Sequence, residues 1–308
     1  VSVENPVPEG EERKVGVDEA LESTVEVAES GADRRPLALD AEGANQVAAA
    51  RRPTVLVLAG DVGSGKTSVY AALYERFGRG PFGGRSFAGS LTIPGFEKRC
   101  HGWRLASGAS EPAMDHTQPS DLQWLHMRIR DAECEHPIQD LLFGDYDGEI
   151  FKGLARGEEP SVDMGFLRRA DYVGIGLDGD HLSDPSQREA ALENARYLVG
   201  ALLKDERIAD PSVLFLVLTK LDLVEARGEE HRQALERSIH ELAQLVEEKS
   251  GGFEPPILRL AARSKSERFP LGHGLNELLD LITERPAVHV LSSPPSVSGH
   301  DPYTGFKA

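Results

Sequence analysis

The sequence predicts a three-layer α/β sandwich in which a mostly parallel central sheet is flanked by helices. Three observations carry that expectation. Residues 213–218, Val-Leu-Phe-Leu-Val-Leu, are apolar at every position, as suits a strand covered on both faces of a parallel sheet. Strand-like apolar runs recur along the chain and alternate with helical patterns, as crossover connections require. The first of these runs, Thr54 to Ala59, enters Gly60-Asp-Val-Gly-Ser-Gly-Lys-Thr67, beyond which Val69, Ala72 and Leu73 continue as a helix.

That turn has the pattern G-x-x-x-x-G-K-T, the phosphate loop of P-loop NTPases, in the strand-before, helix-after context it needs. Gly60, Gly63 and Gly65 permit positive φ and close backbone approach. The N–H groups of Asp61, Val62, Gly63, Ser64, Gly65, Lys66, Thr67 and Ser68 can then converge on phosphate oxygens at a helix N-terminus, whose dipole favours anions. Lys66 supplies a point charge for the outer phosphates, and the Thr67 hydroxyl is placed to ligate Mg²⁺.

Composition bounds the rest. At 308 residues and 40% hydrophobic content the chain has room for one large domain or two small ones. A net charge of −17 argues against nucleic acid or an anionic membrane as partner, because both call for clustered Lys and Arg. Two cysteines, Cys100 and Cys134, are too few for a disulfide framework and point to a reducing cytoplasm. No apolar run reaches the length of a membrane span, and the first residues carry neither a basic start nor an apolar segment typical of export. Residues 1–50 hold twelve acids against four bases, with prolines and glycines interrupting any periodicity. Residues 1–52 therefore read as an acidic disordered arm, 53–284 as the folded domain and 285–308 as a Pro/Ser-rich disordered tail.

Within 53–284, the stretch 77–89 contains Gly78, Gly80, Gly83, Gly84 and Gly89 and reads as an irregular loop. It leads to Ser90-Leu-Thr92, where Thr92 is the choice, with Ser90 as competitor, for a hydroxyl and N–H reaching Mg²⁺ and the γ-phosphate. Residues 96–105 are expected as a strand and 120–132 as a helix. Residues 138–143 form the next expected strand, ending at Asp145-Tyr-Asp-Gly148. A carboxylate at a strand's C-terminal end can hold Mg²⁺ through water, and the Gly148 N–H can meet a γ-phosphate oxygen. A second switch segment is expected over 150–170, then a strand at 171–179 and a helix opened by Asp184-Pro-Ser-Gln187.

After the apolar strand comes Thr219-Lys-Leu-Asp222, at the sheet edge where open α/β sheets bind ligands. The Asp222 carboxylate can accept N1–H and N2–H from guanine, a donor pair adenine lacks. Lys220 can lay its stem along the base, and Thr219 can tie this loop to the phosphate loop. A long helix over 229–249, a last strand at 257–262 and a helix at 275–282 complete the domain. Cys100-His101 and Cys134-x-His136 are spaced more tightly than structural zinc sites and read as core cysteines with surface histidines.

These residues resemble a Ras-like G domain of the translation-factor-related (TRAFAC) GTPase class over roughly 53–284. Gly60 to Thr67 fits the first guanine-nucleotide motif, Thr92 the switch I threonine, Asp145 to Gly148 the D-x-x-G of switch II, and Thr219 to Asp222 the N/T-K-x-D motif. Ala261 and Ala262 lie where the class reads guanine O6 with a backbone N–H. More narrowly, Phe87-Ala-Gly-Ser-Leu-Thr-Ile-Pro-Gly-Phe-Glu97 resembles bacterial GTPases of the double-GTPase type. Glu149 stands where many relatives carry the glutamine that orients the attacking water, which implies slow hydrolysis or a partner's help.

The resemblance implies a cytoplasmic GTPase switch that takes GTP or GDP with Mg²⁺, uses Lys66, Thr92, Gly148 and Glu149 at the reacting phosphate, and reports to a protein partner. No arginine is assigned as a finger, although Arg79, Arg85 and Arg99 lie near the first switch. The alternatives are a GTP-dependent binding scaffold with negligible hydrolysis, which Glu149 keeps open, and a P-loop ATPase or kinase, which Asp222 disfavours.

Overall fold

Strand β1 (Thr54–Ala59) is buried at all six positions, and its alternation sets the architecture. Val55, Val57 and Ala59 point into one hydrophobic core, while Leu56 and Leu58 point into another on the opposite face, as a period of two dictates. The computed structural model describes residues 35–105, 123–133, 137–159, 164–204, 207–208, 212–264 and 268–283. Its sheet has seven strands in the order β2-β3-β4-β1-β5-β6-β7. These are β2 (Arg85–Gly89), β3 (Gln123–Asp131), β4 (Gln139–Asp145), β5 (Tyr172–Asp178), β6 (Val213–Thr219) and β7 (Ile257–Arg259). Strands β4, β1, β5, β6 and β7 pair in parallel, whereas β3 runs against both its neighbours.

Helices cover both faces, which gives the expected three layers. On one side α1 (Ala41–Ala50), α4 (Gly148–Ala155), α6 (Arg188–Leu203) and α8 (Glu229–Lys249) close the first core. On the other, α2 (Lys66–Gly78), α3 (Ile93–Leu105) and α9 (Leu275–Thr283) close the second. Short helices α5 (Gly179–Ser183) and α7 (Leu221–Ala226) follow β5 and β6. Because the parallel strands point the same way, the loops after β1, β4, β5 and β6 gather at one edge of the sheet.

Several expectations are corrected. Residues expected as a strand over 96–105 belong to helix α3. Pro94 sits in its first turn, where a missing N–H costs nothing, and Phe96 and Cys100, four apart, are both buried in the second core. Residues expected as a helix over 120–132 form β3 from Gln123 onward. Leu125, Met127 and Ile129 alternate into the second core and Trp124 into the first, a strand period of two, while Leu122, Leu125 and Ile129, three and four apart in sequence, imitate a helical face. The glycine-rich stretch 77–89 is not all irregular. Phe82 and Arg85 exchange backbone hydrogen bonds of 2.8 and 2.9 Å across Gly83 and Gly84, both at positive φ, the turn that starts a hairpin edge strand.

The arm expected to be disordered through 52 is structured over its described part. Leu39 exchanges two 2.9 Å backbone hydrogen bonds with Trp124, and the Asp40 side chain caps α1 by accepting from the Gly43 N–H at 2.8 Å. Ala41, Ala44 and Val47 then join the first core. Small alanines carry so little apolar surface that their burial is visible only against the sheet. Residues 1–34 and the tail after 283 lie outside the described residues.

Candidate functional site

The phosphate loop closes between β1 and α2 with Gly63 at φ 75° and Gly65 at φ 86°, conformations a side chain would strain. No side chain caps the N-terminus of α2. Lys66 is buried, and its Nζ donates to the carbonyls of Gly60 and Asp61, both at 2.8 Å. Burial lowers its pKa from 10.5 to about 8, opposed by the charges of Asp145, Asp61 and Asp147. The ammonium is thus folded onto its own loop, where phosphate oxygens could replace those carbonyls.

Thr67 donates its hydroxyl proton to Asp145 Oδ1 at 2.8 Å, which leaves the hydroxyl oxygen's lone pairs for another partner. Asp145 ends β4 with its side chain fully enclosed, and Arg99 from α3 contacts its Oδ2 through Nε at 2.8 Å and NH2 at 2.6 Å. A hydroxyl beside a carboxylate is the hard-oxygen set that suits Mg²⁺. Thr67 fits as a direct ligand, and Asp145 fits only through water. Beyond it, the backbone of Gly148 lies on the phosphate loop, where a Cβ would fall 2.5 Å from the Val62 nitrogen. Asp147 caps α4 by accepting from the Glu149 N–H at 3.1 Å.

The loop of Thr219 to Asp222 is tied to the phosphate loop. The Thr219 hydroxyl lies 2.8 Å from the Ser64 carbonyl and 3.1 Å from the Leu177 carbonyl, and its side chain packs where a Cβ on Gly65 would sit. Lys220 adopts φ 54°, the one positive φ of a non-glycine among the described residues, and its Nζ reaches Asp178 Oδ2 at 2.6 Å. Asp222 stands in the first turn of α7, and among the described residues its carboxylate makes neither hydrogen bond nor ion pair. The Ala261 N–H is committed to the His273 carbonyl at 3.1 Å, so Ala262 is the remaining candidate of the two.

Two expected residues do not join this group. Thr92 is fully buried; its hydroxyl accepts the His126 N–H at 2.9 Å, and its carbonyl accepts the Gly95 and Phe96 N–H groups at the start of α3. His126 pairs with Leu142, three residues before Asp145 on β4, which sets Thr92 roughly 10 Å back from the edge. In this structure Thr92 therefore locks α3 to β3 and cannot serve as a metal ligand. Glu149 is exposed and pairs with Lys152 at 3.3 Å, and among the described residues its side chain makes neither hydrogen bond nor ion pair with the phosphate loop. Ser90, the competitor, is likewise turned inward, donating to the His126 carbonyl at 2.5 Å.

Sequence reasoning missed Asp178 and the partner of Arg99. Asp178 could have been found as a carboxylate at the C-terminal end of a parallel strand, the same signal that marks Asp145. A cavity of about 240 Å³ also lies against Gly60, Asp61 and Ser64, between α4, α6 and β5, away from Thr67 and Asp222. Among the described residues no cluster of His, Cys, Asp and Glu could hold a metal by itself. Cys100 is buried, with its Sγ 3.5 Å from the Ala71 carbonyl, while Cys134 and His136 lie outside the described residues.

Residues 54–283 match a family model described as Double-GTPase 2. Among solved structures, the chain is similar to the Ski7 GTPase-like domain of S. cerevisiae bound to GDP and inorganic phosphate, at 12% identity and TM-score 0.47, covering 75% of this chain and 49% of that one. It is also similar to the signal recognition particle receptor SRb-GTP/SRX complex from Chaetomium thermophilum, at 16% identity and TM-score 0.42, covering 76% and 99%. Translation elongation factor SelB from Methanococcus maripaludis, with the analogue GppNHp, gives 14% identity and TM-score 0.39 over 75% and 33%. The chain thus spans about half the length of the first of these. No curated protein matches it.

Two outcomes follow from this geometry. Between pH of about 8 and 10.5 the unfolded chain holds a proton that folded Lys66 has released, so that residue contributes rising stability as pH climbs through this window. Compared with Lys66→Met in urea titrations without nucleotide, the wild type should close its stability deficit across that range. Thr92→Ala should lose about 1–3 kcal/mol of stability, the cost of an unsatisfied buried N–H, while affinity for labelled GDP stays within experimental error. A large drop in GDP affinity without loss of stability would return Thr92 to the site.

Proposed function

This chain belongs to the Double-GTPase 2 family, and from that premise we propose that it binds GTP and GDP with Mg²⁺, hydrolyses GTP to GDP, and reports the bound nucleotide to a protein partner. The observation that carries the proposal is the Thr219 hydroxyl on the Ser64 carbonyl at 2.8 Å, because it sets a base-reading loop beside a phosphate loop. Within 53–284, read as the G domain, Asp222 would accept the N1–H and N2–H of guanine. Lys220, steadied by Asp178, would flank the ring, and the Ala262 N–H would face O6.

At the other end Lys66 would exchange the Gly60 and Asp61 carbonyls for phosphate oxygens, and the negative charge there would restore its full protonation. Thr67 would ligate the metal directly and Asp145 would do so through water. Bound Mg²⁺ neutralises charge on the transferring phosphate and its leaving group. Gly148, on the phosphate loop, would offer its N–H to the terminal phosphate, so the start of α4 would sense whether that phosphate is present. Among the described residues no helix is long and apolar enough to cross a membrane, and the acidic composition favours a protein partner in the cytoplasm over nucleic acid.

A second reading, a GTP-dependent scaffold with little turnover, is favoured by Thr92, whose hydroxyl is buried against β3, and by Glu149, which is paired with Lys152. Direct titration with labelled GDP and ATP tests the first reading. The wild type should prefer GDP, and Asp222→Asn should weaken GDP by about 100-fold, the loss of two hydrogen bonds to a charged group, without changing ATP. Equal affinity for the two nucleotides would refute it. Single-turnover GTP hydrolysis by the purified chain decides between switch and scaffold, since measurable unassisted cleavage excludes the latter.

A further inference from the structure

Arg99 is the one cation that touches Asp145 among the described ion pairs, and both side chains are enclosed, with 12% and 0% of their surfaces exposed. The guanidinium is fixed from three sides. Nε and NH2 both meet Asp145 Oδ2, at 2.8 and 2.6 Å, NH1 donates to the Gly95 carbonyl at 3.0 Å, and NH2 also reaches Gln123 Oε1 at 3.2 Å. The other carboxylate oxygen takes the Thr67 hydroxyl proton. Oδ2 is therefore held by the Nε–H, with NH2 against it as an ion-pair contact, and one acceptor direction on Oδ1 remains.

We infer that Arg99 is a positioning residue that holds Asp145 back from the metal and makes nucleotide binding only weakly dependent on Mg²⁺; this rests on the nucleotide-binding reading above. An enclosed carboxylate attracts a dication because its charge is otherwise uncompensated. Here a guanidinium, protonated at every accessible pH, already compensates it. A metal-bound water can meet Asp145 at the remaining direction of Oδ1, beside Thr67, but the carboxylate charge it meets there is already balanced by a guanidinium that Gly95 and Gln123 hold in place. The guanidinium is also a fixed positive charge one carboxylate away from Thr67. Part of what the metal supplies elsewhere is thus built into α3.

The test is the ratio of labelled-GDP affinity in excess Mg²⁺ to that in EDTA, measured on the full chain. The wild type should show a small ratio. Arg99→Gln, which frees Oδ2 and leaves the carboxylate charged, should raise it by about tenfold, the weight of one charge-assisted hydrogen bond. Adding Asp145→Asn to Arg99→Gln should bring the ratio back towards the wild type. Should Arg99→Gln fail to fold by circular dichroism, Arg99→Lys carries the comparison, because a lysine keeps the charge but not the fork and should give an intermediate ratio. An unchanged ratio in a folded Arg99 variant, or a wild type whose binding collapses in EDTA, overturns the inference while leaving the nucleotide reading intact. Absence of GDP binding in both buffers overturns the two together.

Discussion

Two loops separated by 155 residues in sequence are held at one height by a single hydroxyl, that of Thr219 on the Ser64 carbonyl. The bond is buried, so its loss would strand a carbonyl away from water, and it fixes the distance between the loop before α2 and the loop before α7. The rest of the architecture makes the bond possible. Strands β1, β5 and β6 pair in parallel and in register, with Asp178 opposite Thr219, so the residues that leave these strands emerge side by side. Lys220 then turns through a left-handed conformation, costly for a lysine, and the Asp178 carboxylate holds the side chain that results.

Around this frame the site is built from enclosed charges that satisfy one another. Lys66 and Asp145 would each be unfavourable alone in the interior. Lys66 meets loop carbonyls, and Asp145 meets Thr67 and Arg99. Such partners are provisional for Lys66, whose lowered pKa records an incomplete solvation. They are firmer for Asp145, which accepts a charge-assisted hydrogen bond from Arg99.

The parts legible in the sequence were those whose signal is local. The phosphate loop, the apolar strand β6 and helix α8, whose observed bounds of Glu229–Lys249 coincide with the expected ones, each carry their own period or pattern. The exchange of helix and strand between α3 and β3 has a definite cause. From Leu125 to Arg130 apolar and polar residues alternate strictly, a strand period of two that competes with the three- and four-residue spacing of Leu122, Leu125 and Ile129, and α3 is short of apolar residues because one face meets solvent and Arg99 reaches inward. Thr92 was placed by analogy of order, and order does not reveal that a hydroxyl is captured by a neighbouring strand. The Arg99–Asp145 pair joins residues 46 positions apart and has no sequence signature at all.

That captured threonine belongs to a longer chain of contacts. The His126 ring accepts the Leu91 N–H on Nδ1 at 2.9 Å and meets Asp140 through Nε2 at 2.9 Å; burial lowers its pKa, so the ring is neutral. Asp140 is shared in turn with Arg128 at 2.7 Å and Arg51 at 3.4 Å. Tension applied to residues 90–92 would consequently reach the carboxyl end of α1, where Arg51 stands, as a tug on one carboxylate. Loop and helix end thus pivot on one shared acid.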